Sequence, residues 1–277
     1  MTEELAPPQR GGAGGRPAQL VRPVTDRADL TGGAELSLLV LACTEDDTTA
    51  VDLASGALIR LRVAWPVGHD PDLGAFDLVE ARLAADPETD DLAQPEAATA
   101  DGLPRHVGHM RARKARRLLH ALAATPDGPL LGFPGASAPY WEFRGQRPSA
   151  ALLVPTRGPQ FIRRPREGST WVRFGWNRDD VWLPVESESA TRALDAARRD
   201  RLSGKALATA LGFRPHYLLV SLTQPRDSHC YKVCTAVLPG AKTPAEWLSG
   251  RAGRRPGPRP SPSRRPPSGR PGRRSPA

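Results

Sequence analysis

Apolar residues in this chain come in runs of four to nine, each ended by proline, glycine or a knot of acidic and amide residues. With 30 Pro and 26 Gly spread over 277 residues, a long helix has little room to form, because proline removes a backbone donor and clashes with the preceding turn. Short strands joined by tight turns are what such punctuation permits. The same pattern leaves no run of the roughly 20 apolar residues that a membrane-spanning helix requires, so no membrane partner is expected.

Four strands are predicted early: LSLLVLAC (36–43), TAVDL (49–53), ALIRLRVAW (57–65) and FDLVEARLA (76–84). In the third, Leu58, Arg60 and Arg62 alternate with Ile59, Leu61 and Val63, the period of a strand buried on one face. Together they predict a small β-barrel-like module over 35–85. Residues 1–34, with paired Pro and Gly and no periodicity, read as disordered, and the acidic, proline-punctuated stretch 86–104 reads as a linker.

A mixed α+β module is expected over 105–240. The run HMRARKARRLLHALAAT (109–125) predicts a basic amphipathic helix with Met110, Ala115, Leu118, Leu119 and Leu122 on one stripe. Residues 129–185 read as strands, including a hairpin around Asn177-Arg178-Asp179-Asp180. A helical stretch from Glu186 to Leu211 breaks near Ser203-Gly204, and 216–223 and 230–239 form two paired strands. Residues 241–277 read as a linker and a disordered Arg/Pro-rich tail. The fold class is thus α+β, a small barrel followed by a sheet-plus-helix module between disordered termini.

Charge is segregated along the chain. Residues 35–104 carry 15 acidic groups against 3 basic, residues 105–185 carry 14 basic against 5 acidic, and the tail 249–277 carries 9 Arg and no acid. Residues 1–248 cancel to zero, so the net +9 equals the tail's own charge. The basic helix is therefore either open to a phosphate backbone or an acidic partner surface, or packed on the acidic module as its counter-charge. In composition the tail resembles arginine-rich segments that settle onto RNA or DNA. Only 4 of the 39 basic residues are lysine, so GC-rich coding habit is the competing account of the tail.

Arginine and aromatic residues mix most densely between 140 and 178, a pairing suited to phosphates and unpaired bases. With the basic helix, this stretch predicts a nucleic-acid-binding set: Arg113, Lys114, Arg117, Arg144, Arg163, Arg164, Arg166, Trp171, Arg173 and Trp176. The ordinary alternative puts the rings in the core and the arginines in solvent. DNA or RNA is the expected partner, in an accessory role. A scaffold whose basic half docks on its own acidic half is the second reading, and an enzyme built around Asp179, Asp180 and His216 is the third.

Residues 205–213, KALATALGF, resemble the first helix and turn of a helix-turn-helix, with Ala208 four before Gly212 and Leu218 six after. A recognition helix would then be implied beyond Gly212, although HYLLV (216–220) has strand character. Three cysteines, Cys43, Cys230 and Cys234, are too few for a disulfide framework, which agrees with a reducing compartment. In a strand Cys230 and Cys234 stand about 13 Å apart, too far to share one ion. No phosphate-binding glycine loop, nucleophile elbow or zinc spacing is present, so no metal, cofactor or catalytic residue is assigned. The start MTEELAPPQRGG lacks the layout of a signal peptide, and a cytoplasmic location is expected.

Overall fold

The computed structural model describes residues 30–44, 47–66, 73–88, 91–144, 148–164 and 167–240. The expected disordered stretches therefore lie outside the described residues, except Leu30–Ala34, where Leu30 is buried.

Five strands close a barrel: β1 (Glu35–Cys43), β2 (Thr48–Asp52), β3 (Leu58–Arg62), β4 (Asp77–Glu88) and β5 (Ala97–Ala100). Their order is β1-β2-β3-β5-β4, β4 returns to pair with β1, and β3 and β5 run parallel. The expected barrel is present, and it is longer than 35–85. β5 lies inside the stretch expected to be a linker, where Ala97 and Ala98 are buried. β5 fits between β4, the strand before it, and β3, whose paired residues Arg60–Arg62 are remote in sequence and run parallel to it, a pairing no local pattern shows. A sixth strand, β6 (Arg105–His109), extends β4 on the outside.

Side-chain alternation places Leu38, Val40, Ile59, Leu61, Val79 and Leu83 in the barrel interior. The other face of β1 is also covered. Leu39 and Leu41 join Leu58, Ala115, Leu119, Leu152, Tyr217 and Leu219 in a second apolar cluster. Burial on both faces explains why LSLLVL lacks polar alternation.

The second half contains α1 (Ala112–Leu122), β7 (Ser137–Pro139), β8 (Ala150–Leu153), β9 (Arg157–Arg164), β10 (Ser169–Trp176) and β11 (Asp179–Pro184). It continues with α2 (Glu188–Ala197), β12 (Arg201–Ser203), α3 (Gly204–Leu211), β13 (Pro215–Leu222) and β14 (His229–Pro239). Two four-stranded sheets form, β11-β10-β9-β12 and β7-β14-β13-β8. Phe143, Phe161, Val172, Phe174, Leu194, Leu207, Leu218 and Val220 fill the core they share. The β10–β11 hairpin turns at Asn177 and Arg178, both at positive φ, so Asp179 and Asp180 belong to β11. α3 ends at Gly212 in the left-handed conformation, and the chain enters β13 within three residues. The resemblance to a helix-turn-helix fails there, because the apolar run after Pro215 pairs as a strand with β8 and β14.

A buried polar cluster joins the barrel to the second half. Arg60, only 4% exposed, points away from the barrel interior. Its Nε and Nη2 donate to Asp47 Oδ2, the former at 2.9 Å, and its Nη1 donates to the Leu222 carbonyl at 2.7 Å and to Ser149 Oγ at 3.2 Å. Gln94 Nε2 donates to the same carbonyl at 3.2 Å. Glu96 accepts from the Ser149 amide at 2.9 Å and from its hydroxyl. The arginine of an apparently solvent-facing strand parity thus sits in an interface, since that face of β3 is covered by the ends of β8 and β13.

A buried guanidinium is tolerated only when its donors are met, and removing one partner of a buried pair strands the other. Arg60→Ala is therefore expected to lower unfolding free energy by about 3–5 kcal/mol in urea titration. Arg82→Ala, which breaks an exposed pair 3.9 Å from Asp101, is expected to cost under about 1 kcal/mol. Equal effects would show that the Arg60 cluster is no more important than a surface pair.

Burial pushes the Glu96 carboxyl above its ordinary value of 4.5, against the opposing pull of the Ser149 hydrogen bonds and of Arg60. The folded state therefore holds this proton more tightly than the unfolded state does. The stability it contributes is complete below pH 4.5 and is lost as pH rises through the raised value. The urea midpoint of the native chain should fall across that rise, and Glu96→Gln should flatten it. A profile identical in the two proteins would remove Glu96 as the cause.

Candidate nucleic-acid interface

ARKARRLLHAL contains strong helix formers throughout, and α1 follows. Ala115 and Leu119 are buried, with Leu118 and Leu122 packed beside them against Leu39, Leu41 and Tyr217. Opposite that stripe, Arg113, Arg116, Arg117 and His120 recur at the i, i+3, i+4, i+7 spacing of a single helix face. Arg113, Lys114 and Arg117 are exposed, and none has an ion pair among the described residues. The helix thus docks by its apolar stripe, and its cations face outward.

Several acids of the barrel have partners within 62–109. Asp91 pairs with Arg62 at 3.0 Å, Glu80 with Arg105, and Asp77 with His109 at 2.9 Å and His106 at 3.6 Å. The Asp77 carboxyl lies below its ordinary value through its hydrogen bonds to His109 and the Gly74 amide and the charges of both histidines, which together outweigh desolvation, the largest single contribution.

The basic face continues past the helix end. Arg116 Nη1 donates to the Gly240 carbonyl at 3.2 Å, and the Gly240 amide donates to the Arg214 carbonyl at 3.3 Å. His216 packs on Gly240 so closely that a Cβ there would lie 2.5 Å from the His216 Cβ. Arg214, His216 and His120 are exposed. Burial lowers the pKa of His216, and the charges of Arg214 and His120 lower it further.

The sheet residues expected in the interface have other fates. Along β10, Val172, Phe174 and Trp176 are buried whereas Trp171 and Arg173 point outward. Trp171 and Trp176 are five apart, an odd separation, so one strand cannot present both on one face. Trp176 is 4% exposed and donates from Nε1 to the Gly128 carbonyl at 3.0 Å. Arg164 lies 4.3 Å over the Trp171 ring and pairs with Glu167 at 3.3 Å. Arg173 pairs with Asp180 at 2.6 Å and covers Trp182. Arg163 pairs with Asp195, and Arg144 donates to the carbonyls of Trp141 and Phe143. Arg166 lies outside the described residues.

Five-stranded barrels that bind oligonucleotides do so across their second and third strands. That route is closed here, since β2 and most of β3 are buried and Arg60 reaches from β3 into the second half. The third reading gains no geometry either. Asp180 is held by Arg173 and lies 4.0 Å from Arg157, whereas His216 sits among Arg214, His120 and Gly240, with no contact between the two among the described residues. Cys230 and Cys234 are buried, and desolvation pushes their thiols up to about 11 and about 12. Among the described residues no three His, Cys, Asp or Glu side chains are grouped to hold a metal, and no helix is long and apolar enough to cross a membrane.

Arg116, Arg214 and His216 extend the exposed basic face of α1 and were outside the set read from the sequence. Their proximity depends on the end of β14 passing between α1 and β13, a tertiary contact without a local signature. No family model, curated protein or solved structure matches this chain.

Proposed function

We propose that this protein binds the phosphodiester backbone of nucleic acid through the outward face of α1. The observation that supports the reading is the stripe of Arg113, Arg116, Arg117 and His120 directly opposite the buried stripe, with Lys114 on its flank. Exposed cations without carboxylate partners release counterions when they meet a phosphate backbone, and this term supplies most sequence-independent affinity. At 1.5 Å per residue the 11-residue helix presents a track of about 16 Å, enough for several phosphates on one strand. Aromatic stacking is a lesser part of this reading, because the outward ring of Trp171 is already covered by Arg164. The arginine-rich tail would add nonspecific attraction through the same chemistry.

Contacts to the backbone carry no base information, so affinity should be similar across sequences and steep in salt. Binding of the full chain to DNA and RNA, each single- and double-stranded, across a salt series is the test. Arg113→Ala with Arg117→Ala should weaken binding and reduce the slope of log K against log salt by about 2. Arg173→Ala, on the internally paired sheet face, should change neither. An unchanged slope in the helix variant would exclude α1 as the contact surface, and preferential binding of an acidic polypeptide would move the reading to a protein partner.

A further inference from the structure

The end of the α1 face differs from the rest in geometry. Along the helix the cations stand apart on an open surface, whereas at its C-terminal end the start of β13 and the end of β14 bring a second set beside them. Gly240 is the pivot: its carbonyl accepts from Arg116, its amide donates to the Arg214 carbonyl, and its bare Cα lets the His216 side chain lie against it. The tight approach makes glycine necessary, since any side chain would meet the Cβ and Cγ of His216 within 3 Å.

We infer that Arg116, His120, Arg214 and His216 form a phosphate seat at this junction, and that a phosphodiester group enters it together with a proton bound by His216. The inference rests on the nucleic-acid reading of α1 and adds to it a fixed anchor and a pH dependence.

Among the described residues, the charged groups that act on His216 are His120 from α1 and Arg214, which immediately precedes β13; Arg116 of α1 reaches Gly240 and acts on Tyr217, which contacts His216 ring edge to ring face at 4.5 Å between centroids. No carboxylate stands among them. Without a ligand, partial burial and then the charge of Arg214 lower the pKa of the imidazole and so favour its neutral form. A phosphate oxygen opposes this field and accepts a hydrogen bond from the protonated ring, and its charge offsets that of Arg214. The proton comes from solvent and the ligand undergoes no bond change. A phosphodiester does not titrate near neutrality, so uptake on binding reports the protein alone.

By linkage, a group that binds a proton more tightly in the complex makes affinity rise as pH falls. Isothermal titration calorimetry of the full chain with a DNA duplex and with an RNA duplex, each at pH 7 in buffers of different ionisation enthalpy, measures this uptake. The expected result is uptake approaching about one proton per seat, reduced in His216→Gln and kept in Arg173→Ala. Binding without uptake, or uptake unchanged in His216→Gln, overturns the seat while leaving α1 as a backbone contact. Loss of uptake together with an unchanged response to Arg113→Ala and Arg117→Ala overturns both. His216 lies on an exposed strand end, so Gln there keeps the fold, and an unaltered urea midpoint confirms that the loss is local.

Discussion

The guanidinium of Arg60 is the constraint on which the arrangement of this chain depends. Placed in a covered surface, it needs acceptors from several directions, and a charge lacking them would cost a large part of what a folded domain commonly has in reserve. Asp47 supplies one side from the barrel, and the Leu222 carbonyl and Ser149 hydroxyl supply the other from the second half. Glu96 and Gln94 then satisfy the remaining groups of the same cluster. Such a set is met in one relative placement of the barrel and the β7-β14-β13-β8 sheet. Apolar burial around Leu39, Leu152 and Leu219 contributes attraction, and the polar cluster contributes register.

Registration of the two halves decides which surfaces remain. Strands β2 and β3 are lost to the interface, and with them the usual ligand face of a five-stranded barrel. α1 fills the wedge beside β1 with its apolar stripe, which leaves its arginines on the outside. Among the described residues, the ion pairs that join the acidic segment to the basic one lie between the neighbouring strands β4 and β6, Glu80 with Arg105 and Asp77 with His106 and His109. Local pairs such as Asp91 with Arg62 and Asp77 with His109 satisfy acids close in space, while the joint between the halves uses one buried arginine and many apolar side chains. Exposed opposite charges are weak glue in water, so a difference in net charge between segments does not dictate docking.

Much of the scaffold was legible in the sequence. The four early strands, the paired strands β13 and β14 and the stripe of α1 follow from periods of 2 and 3.6 and from turn residues, all local quantities, whereas the helix expected over 186–211 with a break at Ser203-Gly204 ends at Ala197 and gives way to β12 before α3 starts at Gly204. β5 escaped because an Ala-rich acidic segment has no strand period, and only its neighbours β3 and β4 make it a strand. Arg60 escaped because alternation shows that two faces differ without showing what covers the second. The same ambiguity governs the candidate site. The parity of β10 separates Trp171 from Trp176, yet only the fold reveals that Trp176 faces the core and that Arg164, Arg163 and Arg173 meet carboxylates. The exposure of Arg113, Lys114 and Arg117 was readable because a helix stripe fixes both its buried and its open side.

The central claim, that a buried arginine cluster makes the barrel and the second half one cooperative body, is tested most directly by native-state hydrogen exchange under increasing urea. The amides of Ile59 and Leu61 in β3 and of Leu219 and Val220 in β13 are all in buried strands. The account predicts that they merge onto a single opening isotherm with one free energy and one denaturant slope. Two separate isotherms, with the barrel opening while β13 stays protected, would contradict it.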